Sequence, residues 1–225
     1  MAPSKVIAID GPAAAGKSTV AQMVAEKLGY VYIDTGAMYR AVTLKALKLG
    51  IDPKNERLIG DMLPDTEIRL TDTRDVYLDG ENVTEEIRQT LVSQNVSAVA
   101  AQKVVREELK RRQIQYAKTN NVVMDGRDIG TNVLPDAEYK FFMVASVEVR
   151  AKRRYEENLK RQISCELEDL KQEIQLRDKL DSTRVHAPLV KGTDAVVIDT
   201  SDMTIDEVVD KIIMIVKGGG LNETN

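Results

Sequence analysis

Residues 6–19 have the sequence VIAIDGPAAAGKST, and this stretch predicts the architecture of the chain around it. The apolar segment VIAI indicates a short strand buried on both faces, which is typical of a parallel sheet. A glycine-rich turn follows, and an alanine-rich helical sequence then runs to about Leu28, with Gly29 placed to end it. A strand that turns tightly into a helix is the first half of a βαβ unit, so we predict an α/β fold.

Further apolar segments alternate with helical sequence along the rest of the chain. Helices that connect parallel strands cover both faces of a sheet, so we predict a three-layer sandwich around a five-stranded parallel sheet. The other strands are expected at YVYI (30–33), VVM (122–124), YKFFMVA (139–145) and AVVID (195–199). A charged helical pair should span residues 147–183, and a last helix should begin after Thr204, because Glu207 three residues later completes a capping box.

Residues 61–88 differ in character from this alternating pattern. The segments EIRL and DVYL alternate polar and apolar residues, and Asp79-Gly80 is a hairpin turn signal. We therefore predict a small antiparallel insertion whose edge faces solvent. The predicted division is a core of residues 1–60 and 101–217, an insertion of residues 61–100 and a flexible tail at 218–225.

The composition is that of an ordinary globular protein, with 225 residues of which 43% are hydrophobic. No long apolar run or signal-peptide pattern occurs, so we expect a cytoplasmic location and no membrane partner. A net charge of -4 argues against nucleic acid as a partner. The lone cysteine, Cys165, is expected to be structural, and the only histidine, His186, to pack rather than catalyse.

The segment GPAAAGKS, residues 11–18, fits the phosphate-binding pattern G-x-x-x-x-G-K-[ST]. It follows a predicted strand and opens a predicted helix, as that motif requires. Main-chain amides of such a loop surround a polyphosphate, its lysine reaches the β- and γ-phosphates, and its serine ligates Mg²⁺. We therefore predict a P-loop that binds a nucleoside triphosphate through Gly11, Pro12, Ala13, Ala14, Ala15, Gly16, Lys17, Ser18 and Thr19, with Ser18 as the metal ligand.

The class of P-loop protein is narrowed by what the sequence lacks. It contains neither an N-K-x-D-like guanine motif nor an LSGGQ-like transporter signature, which leaves a small-molecule kinase. Such an enzyme needs a second anionic pocket. Four polar clusters are candidates for it: DTGAMYR (34–40), Ser97 with VVRE (104–107), DGRD (125–128) and RDKLDSTR (177–184). The last cluster is equally well explained as a surface ladder of ion pairs.

The order and spacing of these segments resemble bacterial-type cytidylate kinases, a branch of the nucleoside monophosphate kinase family. The resemblance covers nearly the whole chain and rests on IDGPAAAGKST, DTGAMYR, VREELKRRQ, DGRDIGT and RDKLDSTR…APL. The insertion resembles the enlarged monophosphate-binding domain of that family. One departure is GKS in place of the GKG of some members, which should strengthen the contact with magnesium.

The resemblance implies transfer of the γ-phosphoryl group of ATP to CMP or dCMP, with Mg²⁺ and a helical lid at about 150–183. It assigns Lys17, Arg127, Arg153 and Arg154 to catalysis, and Arg150 together with the last two to a lid over the triphosphate. The acceptor phosphate is assigned to Thr35, Tyr39, Arg40 and Arg127, with Arg184 nearby. Cytosine is assigned to Ser97, Arg106 and Asp128, and the ribose to Arg177 and Asp181. Asp125 could instead serve the magnesium site, since it ends a strand beside the loop.

Two other interpretations remain open at this stage. A P-loop kinase of this size could act on another acceptor, such as AMP, dTMP or shikimate. A nonenzymatic module could bind RNA through the basic run at 103–112, although the interspersed glutamates oppose this. The expected partners are therefore the small molecules ATP and CMP or dCMP, bound by a monomer.

Overall fold

The computed structural model describes residues 4–71 and 73–218. In chain order its elements are β1 (Val6–Asp10), α1 (Lys17–Leu28), β2 (Val31–Asp34), α2 (Thr35–Lys48), α3 (Glu56–Met62), β3 (Ile68–Leu70), β4 (Val76–Leu78), β5 (Glu81–Asn82), α4 (Thr90–Ala100), α5 (Lys103–Thr119), β6 (Val122–Gly126), β7 (Tyr139–Val144), α6 (Val147–Lys160), α7 (Leu167–Thr183), β8 (Val196–Asp199) and α8 (Ile205–Lys217). The predicted α/β class is confirmed. In the described part of the chain, no helix is both long and apolar enough to cross a membrane.

The main sheet is parallel, and its five strands lie in the order β2-β6-β1-β7-β8. The register pairs Ile9 with Asp125 and Asp10 with Gly126, so the carboxyl ends of β1 and β6 lie side by side. In β2, Asp34 pairs with Asp125 in the same way. Polar groups from three strands therefore meet at one edge of the sheet, which is where open α/β sheets bind ligands.

Helices cover both faces of this sheet, as the alternation of strands and helices predicts. Ile7 and Ile9 of β1 pack with α1 and α8 on one face, whereas Ala8 packs with α5 on the other. The largest buried side chains of the first layer include Phe141, which is 1% exposed. Burial of these apolar surfaces is the main stabilising contribution to the domain, and it fixes the strand ends that carry the polar groups.

The helix ends that the sequence predicts are observed in the structure. Gly29 ends α1 in the left-handed conformation with φ 68°, and the side chain of Asp34 accepts a hydrogen bond from the Ala37 amide at the start of α2. Thr204 and Glu207 form the predicted capping box of α8. Helix α3 has no counterpart in the sequence prediction, and it is capped by the side chain of Asn55.

The insertion is a three-stranded antiparallel sheet, β3-β4-β5, as predicted. Asp79 and Gly80 form its tight turn, with φ values of 51° and 88°. Its apolar side chains join a core cluster with α2 and α4, and its last strand, β5, is exposed. The domain boundaries remain predictions, and the predicted tail lies outside the described residues from 219 onward.

Candidate active site

A cleft of about 1140 Å³ runs along the carboxyl ends of the strands. Its walls come from the phosphate loop, the start of α2, the insertion, α4, α5, the loop after β6, α6 and α7. This volume exceeds the usual range for one small ligand. All ten residues assigned to the acceptor lie on its walls: Thr35, Tyr39, Arg40, Ser97, Arg106, Arg127, Asp128, Arg177, Asp181 and Arg184.

The phosphate loop requires unusual backbone conformations at three positions. Gly11 has φ 149°, and a Cβ there would lie 2.1 Å from the main-chain oxygen of Met143, so only glycine fits. Gly16 has φ 85°. Ala14 has φ 58°, a left-handed value that disfavours a residue with a side chain. Such strain often occurs at ligand sites, and here it shapes the loop that opens α1.

Lys17 is buried at the start of α1, with 5% of its surface exposed. Its Nζ donates to the main-chain oxygen of Pro12 at 2.6 Å. Burial lowers the pKa of Lys17 well below its usual value, and the charge of Arg127 adds to this, whereas Asp125 and Asp10 oppose it. A buried ammonium group beside another cation is stabilised by an anionic ligand, which agrees with the predicted triphosphate.

Asp125 joins the phosphate loop to the neighbouring strand. The hydroxyl of Ser18 donates to its Oδ2 at 2.8 Å, and the hydroxyl of Tyr32 donates to its Oδ1 at 2.9 Å. Burial and then the nearby charge of Asp34 raise the pKa of Asp125 to about 6. The hydroxyl and the carboxylate are hard oxygen ligands at one point, and they fit Mg²⁺, which keeps several waters and phosphate oxygens in such sites.

A larger metal centre built from protein side chains is not found in residues 4–71 and 73–218. Among the described residues, no group of three or more His, Cys, Asp and Glu side chains could hold a metal ion. A cation held partly by a nucleotide needs no such group, because phosphate oxygens supply the remaining ligands. The oxygens of Ser18 and Asp125 are therefore the groups at the donor end of the cleft whose chemistry fits a metal ion held partly by a nucleotide, and metal binding by Ser18 remains a prediction.

Asp10 anchors the loop that follows β6. Its two carboxylate oxygens accept hydrogen bonds from the main-chain amides of Ile129 and Gly130, at 2.9 and 2.8 Å. Burial raises the pKa of Asp10 to about 6, although these two amides act in the opposite direction. The loop residues Arg127 and Asp128 precede the anchored amides directly, so Asp10 sets the direction in which their side chains leave the sheet.

The acceptor end is a network of alternating charges. Arg106 donates to Oδ2 of Asp128 at 2.6 Å, and Arg184 lies 3.5 Å from the other oxygen of the same carboxylate. Asp181 accepts from Arg127 at 3.0 Å and lies 3.9 Å from Arg184. Arg106, Asp128, Asp181 and Arg184 each expose 7% or less of the side chain, so they are held in one arrangement before any ligand binds.

The remaining acceptor residues surround this network. Thr35 is buried and its hydroxyl donates to the main-chain oxygen of Asp125 at 2.6 Å. Arg40 pairs with Asp34 at 3.1 Å. Tyr39 lies beneath Arg106, whose guanidinium carbon is 5.5 Å from the ring centre, and burial raises the pKa of Tyr39 to about 12. Its hydroxyl is therefore neutral at physiological pH.

Arg177 is the one arginine of α7, and it lies on the cleft wall. Its Nε is buried without a hydrogen-bond partner among the described residues. Burial and then the charge of Arg127 lower the pKa of Arg177 to about 10, whereas Asp181 acts in the opposite direction. These surroundings favour an anion near Arg177, although its predicted ribose role remains a prediction. Asp181, on the same face, already pairs with Arg127.

The three predicted lid arginines have different positions. Arg153 and Arg154 lie on the cleft wall, the first donating to the main-chain oxygen of Thr200 at 2.6 Å and the second 3.6 Å from Glu157. Arg150 lies behind the wall and donates to the main-chain oxygens of Ala13 and Ala145 and to Asp178. Its geometry supports the loop, and its contact with the triphosphate remains a prediction.

Sequence reasoning did not identify Asp10 and Tyr32 as site residues. Asp10 directly precedes Gly11 at the end of β1, just as Asp125 ends β6, and that shared position is a usable signal. The signal for Tyr32 exists only in the folded chain. The packing role expected for His186 is wrong, because its side chain lies on the exposed loop after α7.

Comparison with known proteins agrees with this geometry. The family described as cytidylate kinase matches residues 7–218. A cytidylate kinase of Pediococcus pentosaceus is 55% identical, over 94% of this chain and 95% of the relative. A cytidylate kinase of Anoxybacillus flavithermus is 57% identical, over 94% of this chain and 95% of the relative.

The match to the crystal structure of TT1252 from Thermus thermophilus covers 98% of this chain and 100% of the other chain. The identity is 15% and the TM-score is 0.50, so this match supports the fold alone. The chain belongs to the cytidylate kinase family.

Proposed function

We propose that this protein is a cytidylate kinase in pyrimidine nucleotide metabolism, transferring the γ-phosphoryl group of ATP to CMP or dCMP to give CDP or dCDP. The observation that carries the proposal is the buried carboxylate of Asp128 at the acceptor end of a cleft whose other end is the phosphate loop. Arg106 and Arg184 hold one oxygen each, at 2.6 and 3.5 Å. A fixed acceptor of hydrogen bonds is what the cytosine amino group requires.

The chemistry of the base edge supports cytosine over uracil. Cytosine presents an N4 amino donor, which a carboxylate accepts, whereas uracil presents an O4 acceptor that repels it. Ser97 and Arg106 also lie on the cleft wall, and they are proposed to supply further polar contacts to the base. Asp181 and Arg177 are proposed to bind the ribose. Arg184 lies 3.5 Å from Asp128 and 3.9 Å from Asp181, and it is proposed to align both carboxylates.

The acceptor phosphate needs no dedicated general base. A phosphate monoester has a second pKa near 6, so it is largely dianionic at neutral pH. Arg40 and Arg127, with the hydroxyl groups of Thr35 and Tyr39, are proposed to hold this group so that one of its oxygens points along the cleft toward the phosphate loop. Alignment of two bound reactants is a large part of catalysis in such transfers.

The reaction then forms one bond and breaks one. An oxygen of the acceptor phosphate bonds to the γ-phosphorus of ATP, and the bond from that phosphorus to the β,γ-bridging oxygen breaks, releasing ADP. Lys17, Arg153 and Arg154 are proposed to stabilise the charge on the transferring group, which is the dominant task of the protein in this chemistry. Lid closure would exclude the water that otherwise hydrolyses ATP.

Magnesium is the cofactor that this mechanism requires. When bound with ATP, Mg²⁺ neutralises charge on the β- and γ-phosphate oxygens. Ser18 is the proposed direct ligand. Asp125 accepts from Ser18 at 2.8 Å and is placed to bind the ion or a water molecule on it, and Tyr32 holds the far oxygen of Asp125.

A panel of acceptors tests the proposal. The purified protein is incubated with ATP, Mg²⁺ and, separately, CMP, dCMP, UMP, AMP, dTMP or shikimate, and the phosphorylated products are separated by ion-exchange chromatography. We expect the largest kcat/KM for CMP or dCMP. A larger value for AMP, dTMP or shikimate would refute the acceptor assignment, and no transfer to any acceptor would refute kinase activity.

The cellular context of the protein remains a proposal drawn from its composition. We propose a cytoplasmic monomer whose partners are its nucleotide substrates and not nucleic acid. Analytical ultracentrifugation with and without CMP checks the monomer. Binding to an RNA oligonucleotide at low salt checks the last point, since an RNA-binding module would show a steep loss of affinity with added salt.

A further inference from the structure

Helix α7 contacts both ends of the cleft. Its residues Ile174, Asp178 and Asp181 are spaced i, i+4, i+7, which places them along one face of the helix. Asp181 belongs to the acceptor network through its ion pair with Arg127. Asp178, one turn earlier, has no role in the mechanism described so far, and its contacts lead toward the donor end.

Arg150 joins Asp178 to the phosphate loop. Its Nη2 donates to Oδ2 of Asp178 at 2.7 Å, its Nη1 to the main-chain oxygen of Ala13 at 3.1 Å, and its Nε to the main-chain oxygen of Ala145 at 2.9 Å. The side chain of Arg150 is 5% exposed and that of Asp178 is 26% exposed. Hydrogen bonds between charged groups are strong where water is largely excluded. One guanidinium group therefore ties the phosphate loop, the start of α6 and α7 together.

An apolar contact joins the same helix to the same loop. Ala14 packs against a small core cluster that consists of Ala151 of α6 with Leu170 and Ile174 of α7. Ala14 is also the loop residue with the left-handed φ of 58°, a conformation that persists only where the surrounding structure supports it. The loop is thus held by α6 and α7 through a main-chain oxygen and through the next side chain, so a movement of the loop is linked to a movement of α7.

The last turns of α7 carry groups of the acceptor end. Arg177 lies on the cleft wall, and Asp181 accepts from Arg127 at 3.0 Å. Asp178 lies directly beside Arg177 in sequence and three residues before Asp181. A helix is a rigid element that carries a displacement from one end to the other. The position of α7 relative to the phosphate loop therefore sets where these two acceptor groups lie.

We propose that Asp178 is a positioning residue that couples the two substrate sites, by holding Arg150 between the phosphate loop and the helix that carries the acceptor groups. This inference rests on the proposed function in that the cleft binds a triphosphate and a nucleoside monophosphate. A triphosphate that restrains the loop also restrains α7, so the acceptor then binds with a smaller loss of conformational entropy. Coupling between two sites is reciprocal, and CMP therefore strengthens ATP binding by the same factor.

Binding measured with one ligand and with both tests this inference. The affinity for CMP is measured by calorimetry without and with a saturating, nonhydrolysable ATP analogue and Mg²⁺, and the ratio of the two affinities is the coupling factor. The variants are Asp178→Asn, which removes the charge but leaves Arg150 in place, and Asp178→Glu, which retains the charge on a longer side chain. Glu168→Gln is the control, because it removes the charge of an α7 carboxylate that is also ion-paired but is 74% exposed. Thermal unfolding of each variant verifies that it is folded.

We expect a coupling factor of about fivefold or more for the wild type, which is the usual range for coupled sites. Asp178→Asn should bring the factor close to one, while its CMP affinity without the analogue changes little. Asp178→Glu should retain part of the coupling, and the control should match the wild type. The reciprocal titration, in which the analogue is added without and with CMP, should give the same factors.

Three results would each overturn the proposal: a wild-type factor of one, an unchanged factor in Asp178→Asn, or an equal loss of CMP affinity with and without the analogue. If Asp178→Asn does not fold, a reduced factor in Asp178→Glu supports the proposal and an unchanged one overturns it. A wild type that phosphorylates CMP without coupling refutes this inference alone. If the wild type prefers another monophosphate, the proposed function fails, and the same titrations with that nucleotide still test Asp178.

Discussion

The two ends of the cleft are built from different kinds of parts. The donor end is built mainly from one continuous stretch, Gly11–Gly16 with the start of α1, which offers main-chain amides and one buried lysine, and Asp125 of β6 adjoins this stretch. The acceptor end gathers charged side chains from α5, the loop after β6 and the end of α7. Triphosphate binding therefore depends on local backbone shape, whereas acceptor selection depends on contacts between residues far apart in sequence. Four substitutions sharpen or break this contrast.

The largest effect is expected from Lys17→Ala. The variant removes a buried positive charge at the transferring group, and we expect kcat to fall about a thousandfold, because loss of one such stabilising group costs on the order of 10²–10³ or more. A coupled ADP-release assay measures kcat. Lys27→Ala, on the exposed side of the same helix, is the matched control. Near-normal turnover by folded Lys17→Ala would contradict the assignment of the phosphate loop as the ATP-binding end of the cleft.

Arg127→Ala is expected to lower kcat/KM for CMP about a hundredfold while ATP affinity stays nearly constant. Its proposed partner is the acceptor phosphate, and a charge-assisted contact made in the transition state affects turnover more than donor binding. Steady-state kinetics with each substrate varied in turn gives both quantities. The control is Arg111→Ala, whose side chain is 68% exposed. Equal losses for ATP and CMP would place Arg127 at the donor end.

Asp128→Asn should narrow the preference for CMP over UMP. An asparagine amide can donate to O4 of uracil, and a good base-edge contact discriminates by roughly 1 to 3 kcal/mol, or about five- to two-hundredfold in relative kcat/KM. Competition between CMP and UMP for the purified variant measures the ratio directly. A ratio equal to that of the wild type would mean that Asp128 serves only its ion pairs with Arg106 and Arg184.

The smallest expected effect is a change in the unfolding free energy with pH, and it is caused by Asp10. The folded-state pKa of Asp10 is raised from 3.8 to about 6. At pH values between these two, the native protein keeps a proton on Asp10 that the unfolded chain releases. Its contribution to the unfolding free energy is therefore complete below pH 4 and is lost as pH rises toward 6. Between pH 5 and 7 the wild type should lose roughly 1 kcal/mol relative to Asp10→Asn. Urea unfolding at several pH values tests this, and parallel curves would show that Asp10 titrates normally.

The sequence was sufficient for the elements whose signals are local. The strand before Gly11, the helix ended by Gly29, the Asp79-Gly80 hairpin and the Thr204 capping box all follow from neighbouring residues. Helix α3 was missed because it is only seven residues long and lacks a full amphipathic repeat. Its sequence therefore carries too few turns to separate it from a loop.

The acceptor end was predictable only through resemblance to a family. The cluster RDKLDSTR (177–184), taken alone, is explained equally well as a surface ion-pair ladder. Contacts such as Ser18 with Asp125, or Asp10 with Gly130, join residues more than a hundred positions apart, and no local periodicity encodes them. The structural position of Arg150 behind the phosphate loop depends on the same long-range packing.

One calorimetric comparison tests the division of the cleft most directly. ATP with Mg²⁺ and CMP are each titrated into Lys17→Ala and Arg127→Ala. We predict opposite losses: Lys17→Ala binds ATP more weakly and CMP normally, whereas Arg127→Ala binds CMP more weakly and ATP normally. If both variants lose affinity for the same nucleotide, the two ends are not separate binding sites, and the assignment of donor and acceptor is contradicted.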